Sequence, residues 1–332
     1  MELIELLRKL TAAHGPSGDE GAVRTVIQDL AIPYADEVWT DAMGNLFVHK
    51  KGIGPKVLFA AHMDSIGLIV THVEKEGFLR VGRLGGLGPK AAAYTPFRFQ
   101  NGVRGLYVPE EKDELGKLKA DDFYLDIGAK DEAEACSMVW VGDTAVYDTN
   151  LFQNNSAVYS PYLDNRVSCA VLLAALGEIK ESANDLYFVF TVQEEVGLRG
   201  ARTAAWSVDP DYGIAIDVTD VDDTPGSKKY GTVQLGKGAA VKVMDSSVIC
   251  HPAVVDKLTS LAQEQEIPVQ KDILRAGGTD AGAIHITRAG VPTGGISVPC
   301  RYIHSPMEMA NLGDVKSCIR LVCAFAQTKL DE

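Results

Sequence analysis

No two of the six cysteines form a C-x-x-C pair. Cys136, Cys169, Cys250, Cys300, Cys318 and Cys323 are scattered along the chain, several of them inside apolar helix or strand patterns. They read as reduced core thiols, not as a disulfide framework or a thiolate metal site. No segment approaches the roughly 18 consecutive apolar residues of a membrane span. A basic patch is also missing: net charge is −13 and the pI is near 5.0, which argues against nucleic acid or an anionic membrane as partner. The N-terminus has no uninterrupted apolar stretch of the signal-peptide kind. Charges separate its leucines, and Leu3, Leu6, Leu7 and Leu10 share the face of an amphipathic helix. The expectation is a soluble, cytoplasmic protein. With 46% hydrophobic residues over 332 positions, there is apolar material for one large domain or two.

What the chain does have is strands that end in acids and histidines. Leu186-Tyr-Phe-Val-Phe-Thr-Val reads as a buried strand and runs directly into Gln193-Glu194-Glu195, with Gly197 and Gly200 following. In open α/β sheets ligands collect beyond the carboxyl ends of the strands, so two adjacent carboxylates there mark a candidate site. Val57 to Ala61 is a second buried strand, ending in His62 and Asp64. Side chains two apart in an extended chain share a face, so Asp64 can orient His62 through one ring nitrogen and leave the other free. A core histidine satisfied by a neighbouring acid fits these two residues equally well.

The first part of the chain predicts two helices, the second with Val23, Val26, Ile27 and Leu30 on its apolar face, joined by the turn-forming His14-Gly-Pro-Ser17-Gly-Asp-Glu20. From about Ile66 to Tyr162 the texture changes. Short β-rich runs (Phe78–Gly82, Phe97–Gln100, Gly105–Val108, Phe123–Ile127, Ser137–Val141) alternate with Gly, Pro, Asp and Asn, which predicts a small all-β barrel or sandwich. A helix opening at Asp164 follows, then alternating strands and helices. Strands are expected at 186–192, Gly213–Ile216 ending in Asp217, Ala239–Val243, Val269–Leu274 and Thr293–Val298, and helices after Gly200, from Pro252 to Gln265, from Thr279 and from Asp314. The fold class expected is α/β: a mostly parallel sheet flanked by helices, formed by residues 1–65 and 163–332, with residues 66–162 inserted as a β-rich domain.

His62, Glu194, Glu195, Asp217 and His304 therefore follow four different strands, and Asp164 opens the helix that resumes the main domain. Histidines and acids without cysteine make a hard nitrogen and oxygen donor set suited to Zn²⁺, Co²⁺ or Mn²⁺. Gly278, Thr279 and Asp280 are candidates for the pocket wall, with a helix N-cap as an equal reading for the last two.

Ala60-Ala-His-Met-Asp-Ser-Ile-Gly67, Tyr162-Leu-Asp-Asn-Arg166, Thr191–Ala201, Ala215-Ile-Asp-Val218, Gly277-Gly-Thr-Asp-Ala281 and Pro299–Pro306 together resemble the M42 metallo-aminopeptidases, the TET or glutamyl/deblocking aminopeptidases. The resemblance implies a zinc-peptidase-like catalytic domain that removes N-terminal residues from peptides. Two metal ions, Zn²⁺ first with Co²⁺ or Mn²⁺ also compatible, would be bridged by Asp164. His62 and Asp217 would complete one ion, Glu195 and His304 the other, with Asp64 orienting His62 and Glu194 acting as general base toward a metal-bridging hydroxide. It also implies that the inserted domain mediates dimerisation and assembly of a homo-oligomer, a tetrahedral dodecamer in this family. Ser65 departs from the pattern, where an acid is common, which bears on substrate preference. Other readings of the same residues are a two-metal amidohydrolase acting on N-acyl amino acids or small amides, a glycosidase built on Glu194 and Glu195, and a non-catalytic peptide-binding scaffold. The glycosidase fares poorly, because its carboxylates must face each other across roughly 5–9.5 Å.

Overall fold

A computed structural model describes residues 1–111, 118–227 and 231–330. Among them, eleven strands form one sheet and six close a separate barrel. The centre of the large sheet is the set expected from sequence: Asp185–Thr191, Lys56–His62, Tyr212–Asp220 and Thr293–Arg301 lie side by side and parallel. Each is a run of apolar residues buried on both faces, as a central parallel strand must be. The period-two alternation divides their side chains between two layers. Val57, Phe59 and Ala61 join Leu186, Phe188 and Phe190 beneath the helices Leu3–Ala12, Gly21–Ala31, Leu163–Glu178 and Leu312–Gln327. Leu58, Ala60 and Val189 face the helices Arg199–Val208 and Ala281–Ile284 on the other side.

Outside that centre the sheet is antiparallel, so it is mixed rather than mostly parallel. Glu37–Thr40 and Leu46–Lys50 form a hairpin laid against Asp185–Thr191, while Glu308–Asn311 folds back on Thr293–Arg301. Connections this short cannot make the crossover that parallel pairing needs. Ala239–Met244 also runs against Thr293–Arg301 and carries Val269–Ile273 parallel on its free side.

The barrel closes through Gly67–Val73, Leu79–Leu84, Phe123–Asp126, Arg104–Pro109, Thr95–Phe99 and Thr144–Tyr147. Its core is aromatic, with Tyr107 stacked on Phe123 at 4.8 Å and Phe97 against Tyr147 at 4.7 Å. Ser137–Val141, expected as a strand, is instead the end of the helix Glu132–Met138 and the turn after it. Asp131 caps that helix by accepting a hydrogen bond from the Glu134 amide, and this local signal outweighs the β-branched residues downstream. Phe152–Asn154 and Ala157–Ser160 lie inside the stretch expected as the insert, yet they pair into the large sheet beside Glu308–Asn311. The six cysteines are free thiols, four of them buried.

Two buried ionic groups tie this framework together. Arg166, fully buried on the central helix, donates to the carbonyls of Leu10, Ala13 and Gly15 and so fixes the end of the first helix. Lys242 pairs with Asp272 at 2.6 Å between adjacent strands, and the Thr219 hydroxyl donates to the second Asp272 oxygen at 3.1 Å. Removing one member of such a pair leaves an uncompensated buried charge, whereas replacing both with apolar groups does not. Asp272→Ala is accordingly expected to lower unfolding stability by about 3–5 kcal/mol, and Lys242→Met with Asp272→Leu to recover most of that loss. Urea denaturation midpoints of the two proteins check this; equal losses would mean that the charge is not what matters.

Candidate metal centre

The ends of the parallel strands converge on a cavity of about 500 Å³ lined by His62, Asp164, Glu194, Glu195, Asp217 and His304. Asp217 is delivered near the end of the strand Tyr212–Asp220 and His62 by the end of Lys56–His62; Asp164 enters from the non-helical start of the central segment Leu163–Glu178. These strands are neighbours in the sheet, so residues that are far apart in sequence arrive within a few ångströms of each other.

Asp164 is at the centre. Its Oδ1 lies 3.1 Å from His62 Nε2, and its Oδ2 lies 3.2 Å from His304 Nε2. On the first side Asp217 Oδ1 is 3.7 Å from His62 Nε2; on the second Glu195 Oε2 is 3.3 Å from His304 Nε2. Two groups of potential ligands result, His62 with Asp164 and Asp217, and Asp164 with Glu195 and His304, each with donor atoms within 4.8 Å of one another. Glu194 belongs to neither group, although its Oε2 is 3.8 Å from His62 Nε2.

The electrostatics call for cations. Burial pushes the carboxyls of Glu194, Glu195 and Asp217 above their usual range, and neighbouring acids push further while the histidines oppose. Asp164, between two imidazoles, is held well below its usual range although burial acts the other way. Burial would lower both histidines. The surrounding carboxylates outweigh it, raising His62 strongly and His304 to about 11. Glu195 Oε1 is buried without a hydrogen-bond partner. A donor set of two imidazoles and three carboxylates, with a carboxylate oxygen left over, fits two hard divalent cations.

Asp64 has a different set of partners from the one expected. The nearer acceptor for His62 Nδ1 is the Asp64 main-chain carbonyl at 3.2 Å, with carboxylate Oδ1 at 3.4 Å. The carboxylate chiefly serves other donors: the Glu194 amide at 3.0 Å, the Glu195 amide at 3.2 Å and the Ser17 hydroxyl at 2.6 Å. It thus sets the turn that carries both glutamates. Glu308, which the sequence reading passed over, does the same on the opposite side. Fully buried, it accepts from the Asp164 amide at 2.7 Å and the His304 amide at 2.8 Å. Of the 278–280 stretch only Gly278 lines the cavity; Asp280 occupies the N-cap position of the short helix Ala281–Ile284, though its side chain makes no capping hydrogen bond. Thr279 donates to Asp245 at 2.9 Å, while Asp280 accepts from Thr191 at 2.5 Å and has its carboxyl pushed up to about 7 by burial, with Asp217 adding and His62 opposing. Ser65 is buried, its hydroxyl directed to the Gly15 carbonyl rather than into the cavity.

The barrel side also reaches the site. A Cβ added to Gly86 would lie 2.4 Å from His304 Nδ1, and one added to Gly85, at φ +71°, would lie 2.8 Å from Glu195 Oε2. Only glycine lets that backbone approach so closely. The remaining wall is largely apolar, with Leu198, Val218, Leu274 and Ile303, plus Asp220 as a further acid.

The family model for M42 glutamyl aminopeptidases matches residues 44–321. A lysyl aminopeptidase of Pyrococcus furiosus is 38% identical over 339 aligned positions, covering 97% of this chain and 96% of its own. Among solved structures, a TET aminopeptidase from a marine sediment Thaumarchaeota archaeon superposes with a TM-score of 0.94 at 36% identity, covering 98% of this chain and 96% of that one. The TET1 peptidase of Pyrococcus horikoshii, described as assembling into a tetrahedron or a large octahedral shell, gives 0.88 at 32% identity over 98% and 99%. A family model spanning most of the sequence, and relatives aligned nearly end to end, establish that the chain belongs to the M42 family of metal-dependent aminopeptidases.

Proposed function

We propose that this aminopeptidase works through two divalent cations that share the Asp164 carboxylate, with His62 and Asp217 holding one and Glu195 and His304 the other. The observation that carries the reading is the division of Asp164, one oxygen toward each histidine. Zn²⁺ is the first choice for such ligands, and Co²⁺ or Mn²⁺ would fit them too. When bound, the pair supplies Lewis acidity, polarising the scissile carbonyl and making water a better nucleophile at neutral pH.

The protein's own part is proton transfer and positioning. Glu194 stands 3.8 Å from His62 of the first ligand group and belongs to neither group, so its carboxylate is available to take a proton from the attacking water and return it to the leaving amine. Asp64 acts as the catalytic-turn anchor, holding the amides of Glu194 and Glu195 and steadying His62. An apolar wall with surplus acid charge suits a peptide entering by its protonated N-terminus. The related enzymes named for glutamyl and lysyl substrates indicate that side-chain preference varies on this framework.

The residues 66–162, whose barrel displays exposed Tyr94, Leu106, Trp140 and Val141, are proposed as the dimerisation and assembly domain, and residues 1–65 with 163–332 as the catalytic one. The shell formed by the Pyrococcus horikoshii relative supports a homo-oligomer, for which a tetrahedral dodecamer built from dimers is the specific proposal. No helix of the described residues is long and apolar enough to cross a membrane, which agrees with a cytoplasmic location.

Metal analysis of the purified protein, paired with a panel of aminoacyl anilides and N-acetylated controls, is the direct test. Two metal ions per chain and cleavage of free-amine substrates alone are expected; cleavage of the blocked controls would favour an amidohydrolase. Glu194→Gln should keep both ions and lower kcat by about 10²–10⁴-fold, and loss of metal with activity would move Glu194 among the ligands. Asp164→Asn should weaken both ions together, and retention of either at full affinity would exclude a shared carboxylate. Gly86→Ala, by crowding the His304 ring, should weaken one ion about 10–100-fold and leave the other; calorimetric metal titration reads the difference.

A further inference from the structure

The segment His14–Glu20 joins the first two helices and is held from three directions. Arg166 donates to Gly15 O at 3.0 Å. The Ser17 amide donates to Ser65 O and the Ser65 amide to Gly15 O, both at 3.1 Å, which locks the segment to the chain just beyond Asp64. Buried His14 meets Asp19 at 3.0 Å and Thr144 of the barrel at 2.9 Å. From this frame two side chains extend toward the glutamate turn. Ser17 Oγ donates to Asp64 Oδ2 at 2.6 Å. Glu20, 5% exposed, accepts the amides of Gly18 at 2.7 Å and Gln193 at 3.2 Å, both on Oε1.

The second contact falls on a strained position. Gln193 has φ +53°, in the left-handed region that a residue with a Cβ adopts only when its surroundings hold it there. Beyond it, three successive amides are received by two buried carboxylates: Gln193 by Glu20, then Glu194 and Glu195 by Asp64. The Glu194 carbonyl meanwhile receives the amides of Gly197 and Leu198, so the turn is pinned on both sides of its peptide planes. The Gln193 amide that Glu20 receives belongs to the Val192–Gln193 peptide plane, and the Glu194 amide that Asp64 receives to the next one, so Glu20 holds the plane entering the left-handed residue and Asp64 the plane leaving it toward Glu194.

We propose that Glu20 and Ser17 are positioning residues for the peptidase reaction: Glu20 fixes the left-handed Gln193 backbone and Ser17 the Asp64 carboxylate, and between them they aim Glu194. The inference rests on Glu194 being the general base. Neither residue touches a candidate ligand, and Glu20 reaches the turn only through the Gln193 amide, so its effect falls on turnover rather than on metal content; Ser17 acts through Asp64, which also receives the Glu195 amide.

The test measures kcat, KM, bound metal and Tm for four variants of the metal-loaded protein. Misplacing a reacting group by about 1 Å costs on the order of 10²-fold in rate, so Glu20→Ala is expected to lower kcat by about 10–10²-fold with KM and metal content unchanged. Glu20→Gln should return to within about threefold of the parent, because a single amide oxygen can still accept both N–H groups. Ser17→Ala removes one hydroxyl from Asp64 and should lower kcat several-fold; it keeps the test decisive if Glu20→Ala does not fold. In Glu20→Ala combined with Glu194→Gln, turnover should equal that of Glu194→Gln alone, since a base already removed cannot be misaimed. Parental kcat in Glu20→Ala or Ser17→Ala, a Gln variant no better than Ala, or a Glu20→Ala loss carried by KM or metal would overturn the proposal. Parental turnover in Glu194→Gln would instead overturn the assignment of the base.

Discussion

Mutual repulsion among buried carboxylates is the constraint around which this molecule is built. Asp164, Glu195, Asp217 and Glu194 are brought into one cavity, with Asp64, Asp280 and Glu308 close behind, and the imidazoles of His62 and His304 are the cationic groups among them. Gathering that many acids away from water carries a high desolvation cost unless positive charge is supplied. The raised proton affinities of Glu195 and Asp217, and the strongly raised histidines, are what remains when the protein alone must balance the site. Divalent cations held there, as proposed, would offset the same imbalance, so the group proposed to power hydrolysis would also relieve this electrostatic cost.

Such a cluster keeps its geometry only if the backbone beneath it cannot yield. The supports are carboxylates that bind amides rather than charges. Glu308 receives Asp164 and His304, Asp64 receives Glu194 and Glu195, and Glu20 receives Gln193. Each joins elements far apart in sequence, and each is buried where its hydrogen bonds are screened little by water. On the barrel side the support is steric. Gly85 and Gly86 bring main chain against Glu195 and His304, so the barrel forms part of the wall of a cavity whose ligands come from the large sheet. A rearrangement of the barrel would be felt at one of the two ligand groups first, the one containing His304, whose side chain is also the more open at 35% exposure.

The candidate site was legible because its residues sit where local pattern changes. His62, Glu194, Glu195 and Asp217 each end an apolar run, and a run of that kind is a strand whose end position is known to within a residue or two. Glu308 had no such signal. It opens the short strand Glu308–Asn311 instead of ending an apolar run, and acts through amides 4 and 144 positions away, a relation that only the closed sheet creates. For Asp64 the local spacing shows the His62 contact but not the Glu194 and Glu195 amides, because those arrive from another strand. Sheet direction failed at the margins for a similar cause. Whether Leu46–Lys50 or Glu308–Asn311 runs with or against its neighbour depends on loop closure, which hydrophobic periodicity does not encode.

The placement of His14–Glu20 explains why a turn-forming stretch near the N-terminus contains so many side chains with long-range partners. A turn needs Gly, Pro and a small polar residue; it does not need a buried histidine, an inward serine and a buried glutamate. Here His14 faces the barrel, Ser17 faces Asp64 and Glu20 faces Gln193, while the Gly15 and Ser17 backbones bond the residue next to Asp64. The stretch therefore lies where the barrel, the central helix and the glutamate turn meet, and it transmits the position of the first two to the third. A rigid framework of this kind answers the electrostatic problem set by the acids: repulsion tends to spread them apart, and fixing their backbones from behind keeps them gathered for the cations proposed to offset it.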